Sequence, residues 1–427
     1  MNEPQKDRTI SVGVLVNLEF DAAASGHVNV WKRYAEATAG RDDIDLTVYF
    51  LGPRQTISVA DNVRYEVVPG ALTTRKLRLR QGGGHADIGP YNRTLAVLLR
   101  RHDVLHTTDF FCFGATARRV AQKRGSPLIY SVHTLQPEFS RIYWSEIAEG
   151  LFGQWFSRFI LIQFLKTDRW IFWVLNRALV RQLRAADRVL VFEPGNLPER
   201  AHVPQSRLAS LRRGIAPGAF DPALRNPAAL RDRIGIPHDR AIVLFVGRLD
   251  ASKNAMLVAD ALHKLNERGR PVHGLFVGAG RDADRIAATL GDHATLTGIL
   301  PHSDLPAIFA SADLMAFPAR YETWGNVVVE AKSSALPVLV AAQQATTRHI
   351  QKSGTDGLIV HDQTPAAWAQ AIDSLLCDEE ERSRMATEAY RWSQVHALSW
   401  ATAVEHDLVP VWRTLGRSPQ TAGSEAM

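Results

Sequence analysis

A chain of 427 residues is too long for one ordinary core, so two domains are expected. Its composition, 46% apolar and 22% charged, is that of a soluble globular protein, and two cysteines, Cys112 and Cys377, argue against a disulfide framework or a cysteine-rich metal site. The net charge of +6 and pI near 9.4 point to anionic company such as nucleotides or phospholipid surfaces; nucleic acid has only that charge in its favour and is set aside.

The start, MNEPQKDRTISVGVLV, lacks the basic end and long apolar run of a signal peptide, so a cytoplasmic location is expected. ISVGVLV (10–16) predicts a buried strand, followed by a polar loop and an amphipathic segment from about His27 to Thr38. IDLTVYFLG, NVRYEVVPG, DVLHTTDFF and PLIYSVHT are further strands, with YNRTLAVLLRRH and GATARRVAQKRG as helices between them. Strands alternating with helices imply a parallel sheet with crossover helices.

The segment LFGQWFSRFILIQFLKTDRWIFWVLNRALVRQLR (151–184) departs from that pattern. It interleaves aromatic residues with Arg158, Lys166, Arg169, Arg177, Arg181 and Arg184, and no run reaches the roughly 18 uncharged apolar residues of a membrane span. Two readings stand: an anionic membrane interface, or a helix pair packed on the first domain with solvated arginines.

RGIAPGAFDPALRNPAALRDRIGIPHD (213–239) reads as an interdomain linker. After it AIVLFVGRLD, VHGLFVGAG, HATLTGIL, ADLMAFPA, LPVLVAA and GLIV are strands again. The expected fold is therefore α/β, two Rossmann-like doubly wound domains facing each other across a cleft, with ligands beyond the carboxyl ends of the strands. Residues 1–218 form the first domain, 219–390 the second, and 391–427 a terminal helical piece with a tail.

In FVGRLDASKN (245–254) a strand ends at Gly247, and Arg248 and Lys253 follow, a place to hold phosphates. VGAGRDADRI adds the glycine turn Gly278–Gly280, but the third glycine of the dinucleotide fingerprint is missing. In FPARYETWGNVVVEAKSSALPV (317–338), Gly325 and Asn326 open a helix whose free N–H groups make an anion site. Glu322 and Glu330 lie eight residues apart, roughly 12 Å if fully helical, a span that suits hydroxyls on both sides of a diphosphate.

SADLMAFPARYETWGNVVVEAKSSALPVLVA, with GRLDASKN before it, resembles the retaining glycosyltransferases of family 4, which have the GT-B fold and an E-x7-E signature. RWSQVHALSWATAVEHDLVPVW (391–412) is similar to the family's terminal helices that return to the first domain. The resemblance implies transfer of a sugar from a UDP- or GDP-type nucleoside diphosphate sugar to a sugar or lipid-linked acceptor, in glycolipid, lipopolysaccharide or exopolysaccharide synthesis. It implies that Arg248 and Lys253, beyond Gly247, bind the diphosphate; that Glu322 touches the donor sugar, helped by backbone at Trp324, Gly325 and Asn326; and that Glu330 holds the ribose. Main-chain groups near Ile299 would meet the base, the loop at Ser25 and Gly26 would approach the phosphate, and His133 of YSVHT would sit at the reaction centre. His106 and Asp109 of LHTTDFF are acceptor-side candidates or plain loop polar groups. No metal and no resident cofactor are implied, and the enzyme would work in the cytoplasm or on the inner face of its membrane.

The chain departs from the family in several places. QQATTRHI follows LPVLVAA where the family often has a pair of glycines and then a glutamate. Ala335 stands at a usual glycine, Trp324 at a usual phenylalanine, and Gly26 alone where many members have two glycines. The rival readings are another GT-B activity, such as a nucleotide-sugar epimerase, and a non-catalytic sugar-nucleotide-binding protein.

Overall fold

The computed structural model describes residues 8–20, 26–76, 85–133, 167–192 and 201–417. The chain divides into two compact units. Residues 1–212 and 400–427 make unit 1, and residues 213–399 make unit 2. The divisions fall at 212/213 and 399/400, against the 218/219 and 390/391 read from the sequence.

Unit 1 is built on an eight-stranded sheet in the order β3-β4-β2-β1-β5-β6-β7-β8. The strands are β1 (Ile10–Glu19), β2 (Ile44–Gly52), β3 (Thr56–Ala60), β4 (Val63–Pro69), β5 (Val104–Thr107), β6 (Leu128–Ser131), β7 (Arg188–Val191) and β8 (Leu208–Ser210). All neighbours pair in parallel except β3, which runs antiparallel to β4 at the sheet edge. The largely apolar runs of β1 and β2 follow from burial on both faces, as a parallel sheet covered by helices requires. Sequence reading misses β3, β7 and β8. β3 is exposed along its whole length, and the other two have four and three residues.

The helix Gly26–Glu36 buries Val28, Val30, Trp31, Tyr34 and Ala35, the one-sided spacing that predicted it. The chain end closes the same unit. In the helix Val409–Gly416, Trp412 and Leu415 join the core cluster that contains Ile10, Val12 and Val14 of β1.

Unit 2 has a wholly parallel six-stranded sheet, β11-β10-β9-β12-β13-β14. Its strands are β9 (Ala241–Val246), β10 (Val272–Val277), β11 (Ala294–Gly298), β12 (Leu314–Phe317), β13 (Val338–Ala341) and β14 (Leu358–Val360). The strand order reverses beside β9, with β10 on one side and β12 on the other. Chains leaving β9 and β12 cross to opposite faces of the sheet and so leave a crevice at their carboxyl ends.

The expected linker is mostly packed structure. It holds the helix Pro227–Ile234, and Phe220 and Leu230 are buried in the unit 2 core. Two of its four prolines start helices here, Pro222 behind the capping Asp221 and Pro227 behind the capping Asn226.

Candidate active site

The loop after β9 carries the two predicted phosphate ligands. Arg248 Nη2 donates to Ser252 Oγ at 2.8 Å and lies 3.3 Å from Asp250 Oδ2. Asp250 Oδ1 in turn accepts from the Ser252 backbone N–H at 2.9 Å. The guanidinium is thus oriented within its own loop, and part of its charge is shared with Asp250. Asn254 ends the loop in the left-handed conformation, which asparagine tolerates, and starts the helix Ala255–Glu267.

This loop is held against its neighbours backbone to backbone. Gly247 N–H donates to Val277 at 2.9 Å, and Leu249 N–H donates to Ala279 at 3.0 Å. A Cβ on Gly278 would lie 1.9 Å from the Gly247 carbonyl oxygen, and Gly278 has φ +138°. The glycines of VGAG therefore serve a close loop–loop approach. On the other side Arg320 N–H donates to the Ser252 carbonyl at 2.9 Å, tying the β12 loop to the β9 loop.

Glu322 stands on that β12 loop, 12% of its side chain exposed, with Oε2 accepting from Lys253 Nζ at 2.6 Å. Oε1 accepts from the N–H groups of Thr323 (2.9 Å) and Trp324 (3.2 Å). Burial would raise the Glu322 carboxyl, but the Lys253 ammonium, with Arg213 and the Trp324 N–H behind it, brings it down to about 2. Lys253 and Glu322 come together across the reversal point of the sheet, although 69 residues separate them. Gly325, at φ +87°, turns the chain into the helix Asn326–Ser333, and a Cβ there would meet Thr346 Cγ2 at 2.6 Å. Among the described residues no side chain caps this helix.

The helix starts only at Asn326, so the fully helical spacing considered for Glu322 and Glu330 does not hold. Glu330 is buried inside the helix, its Oε1 3.5 Å from His302 Nε2. Ile299, just past β11, is 66% exposed. Gly247, Arg248, Lys253, Ile299, Glu322, Trp324, Gly325, Asn326 and Glu330 all lie in unit 2.

The unit 1 candidates fall differently. Ser25 lies outside the described residues, and Gly26 begins its helix with open space around its Cα. His133 follows β6 and is only 1% exposed. Its Nε2 accepts from Trp31 Nε1 at 3.2 Å and lies 3.0 Å from Ser131 Oγ, while its ring stacks on His27 at 4.5 Å.

His106 and Asp109, the acceptor-side candidates, are both buried in unit 1. His106 Nδ1 accepts from Trp412 Nε1 at 3.3 Å in an apolar setting that pushes its pKa down to about 3. Asp109 accepts from Asn17 Nδ2 and from the N–H groups of Phe111 and Gly114, holding the start of the helix Cys112–Arg124. Burial pushes its pKa up to about 6 against those hydrogen bonds. Both are internal polar groups of unit 1.

Sequence reasoning missed Arg213, whose positive charge acts on Glu322, and Asp250 and Ser252, which aim Arg248. It also missed Arg348 and His349 in the divergent QQATTRHI loop. Only the spacing of D-x-S in GRLDASKN gave a signal, since a carboxylate two residues before a serine favours an Asx turn.

Of the basic aromatic segment, residues 151–166 lie outside the described residues. Thr167–Ala185 is a helix with Trp170 (65%) and Trp173 (58%) exposed. Among the described residues no helix is long and apolar enough to cross a membrane.

Residues 228–392, which carry this loop set, match the family model described as glycosyl transferases group 1, and residues 24–195 match that of glycosyltransferase family 4. The chain is a GT-B glycosyltransferase of the group 1, family 4 type. This glycosyltransferase is 24% identical over 432 residues to D-inositol 3-phosphate glycosyltransferase 1 of Catenulispora acidiphila, covering 96% of each chain. It is 32% identical over 195 residues to the alpha-D-kanosaminyltransferase of Streptomyces kanamyceticus, covering 44% of this chain and 49% of that one. In fold it is similar to sucrose-phosphate synthase from Thermosynechococcus elongatus, with a TM-score of 0.67 and 18% identity over 95% of this chain and 99% of that one. Anabaena HepE in complex with UDP and glucose gives a TM-score of 0.66 at 15% identity with the same coverage.

Proposed function

We propose that this glycosyltransferase moves a sugar from a nucleoside diphosphate sugar of UDP or GDP type to an acceptor hydroxyl with retention of configuration. The observation that carries the reading is the Lys253–Glu322 pair at the reversal point of the unit 2 sheet, beside an uncapped helix start. A cation for phosphate and a carboxylate for sugar hydroxyls stand side by side there, as a glycosyl phosphate bond requires. In this reading the bond from the sugar C1 to the diphosphate oxygen breaks, and its electron pair leaves with the diphosphate. Arg248, Lys253 and the N–H groups at Asn326 stabilise that charge. The acceptor oxygen bonds to C1 on the same face, and its proton passes to the departing phosphate oxygen. Glu322 accepts from the sugar hydroxyls, Glu330 from the ribose, and the backbone at Ile299 meets the base. His133 acts at the reaction centre in this reading. The scheme uses no metal or resident cofactor, so activity should survive EDTA.

The test is thermal stabilisation by UDP-glucose, GDP-mannose and their free diphosphates, followed by product analysis with D-inositol 3-phosphate and with lipid-borne acceptors. A ligand that binds only the folded state raises the melting point by mass action. Retention is read from the anomeric configuration of the product by NMR. If no nucleoside diphosphate sugar stabilises the protein or is consumed, the reading falls.

A second reading, favoured by the helix Thr167–Ala185, is docking on an anionic lipid surface that carries the acceptor. Trp170, Trp173, Arg177 and Arg181 are exposed at three- and four-residue spacings, and the Arg177 guanidinium lies 5.6 Å from the Trp173 ring centre. Sedimentation with phosphatidylserine vesicles should occur at low salt and weaken as salt rises. No sedimentation at low ionic strength would leave a soluble acceptor.

A further inference from the structure

We infer that His349 is a positioning residue for the Glu322 loop, and that the loop before it grips that turn by its carbonyl groups. His349 lies 2.7 Å from the Trp324 carbonyl through Nε2, so Nε2–H donates there. Arg348 Nη1 donates to the neighbouring Thr323 carbonyl at 3.3 Å. The N–H groups of the same two residues donate to Glu322 Oε1. The turn is thus held from both sides, its carbonyls by the loop and its N–H groups by the carboxylate that pairs with Lys253.

The grip has a buried foundation. Lys332 is fully buried, donates to the His349 carbonyl, and pairs with Asp356 Oδ2 at 2.6 Å. Its Nζ sits 3.8 Å from the Trp392 ring centre, and Trp392 packs edge-on to His349, which packs edge-on to Trp324. Arg348 closes the stack over the Trp324 ring at 5.3 Å. A buried ammonium and carboxylate are costly to place and allow few alternative arrangements, so they fix where the His349 main chain stands. The imidazole stays neutral, because burial holds it at about 4 despite its bond to Trp324. A neutral ring that donates from Nε2 has one orientation that satisfies the carbonyl.

The inference rests on the proposed function only for its kinetic consequence, so the first readout needs no ligand. Hydrogen exchange of the peptide spanning 318–327 is compared in wild type, His349→Phe and His349→Gln. Phenylalanine keeps the ring and loses the donor, while glutamine restores an amide N–H. The expected result is exchange at least ~10-fold faster in His349→Phe within 318–327, unchanged exchange in the β9 and β10 peptides, and recovery in His349→Gln. Equal exchange in wild type and His349→Phe would overturn the inference, as would faster exchange spread evenly over unit 2. Should His349→Phe not fold, His349→Ala takes its place under the same criteria. With a donor that wild type consumes, kcat should fall at least ~10-fold in His349→Phe with KM changed less than about threefold, and His349→Gln should recover it. A wild type that consumes no donor defeats the functional reading and leaves the exchange result to decide this one.

Discussion

Glu322→Gln tests the centre of the proposed site because the carboxylate has two opposed roles in that reading. It neutralises Lys253 at 2.6 Å and holds two backbone N–H groups. Glutamine keeps the shape, but its amide cannot accept on both sides, so one charge-assisted contact is lost. Such a contact is worth ~1.5–3 kcal/mol, or roughly 10- to 150-fold in an equilibrium. Lys253 is then released toward any phosphate. Free UDP or GDP should bind Glu322→Gln as tightly as wild type or up to about tenfold more tightly, while turnover falls at least ~10-fold because the sugar loses its acceptor. Titration calorimetry and initial rates measure the two effects. The acid limb gives an independent check. The folded carboxyl sits at about 2 against an ordinary 4.5, so its contribution is complete above the ordinary value and is lost as pH falls toward the folded one. The stability gap between wild type and Glu322→Gln should therefore shrink by on the order of 3 kcal/mol from about pH 6 to about pH 2. Normal turnover in Glu322→Gln together with weaker diphosphate binding would refute the reasoning.

Four further substitutions follow from the same geometry. Lys253→Ala and Arg248→Ala should each reduce turnover at least ~10²-fold by initial rate while circular dichroism stays native; near-normal rates would remove them from the diphosphate site. Lys332→Met leaves the nearly buried Asp356 carboxylate without its cation and should cost ~3–5 kcal/mol in urea unfolding. A midpoint equal to wild type would show the pair to be energetically idle. Gly278→Ala forces a Cβ onto the Gly247 carbonyl oxygen at 1.9 Å and should cost more than ~4 kcal/mol, seen as lost soluble expression, and a wild-type melting temperature would contradict the close approach of the two loops.

Strand positions, the alternation with helices and the parallel sheets were legible in the sequence, because a strand buried on both faces must be apolar throughout. The strand end before Arg248 and Lys253 and the helix start between Glu322 and Glu330 were legible too, since strand ends and a Gly-Asn helix start are local signals. The exposed edge strand β3 was not, because its alternation buries nothing. Nor could local pattern separate His106 and Asp109 from ligand-facing groups. A polar residue after a strand looks the same whether it faces solvent or a neighbouring tryptophan, and only packing put both in the interior. The Lys253–Glu322 pair, the Lys332–Asp356 pair and the His349 grip on Trp324 join segments 24 to 69 residues apart. Such contacts arise where loops from different strands meet at one sheet end, and sequence spacing carries no trace of which loops become neighbours. The sequence determined which chemistry is available, and the tertiary structure decided which groups share a site and which support it from behind.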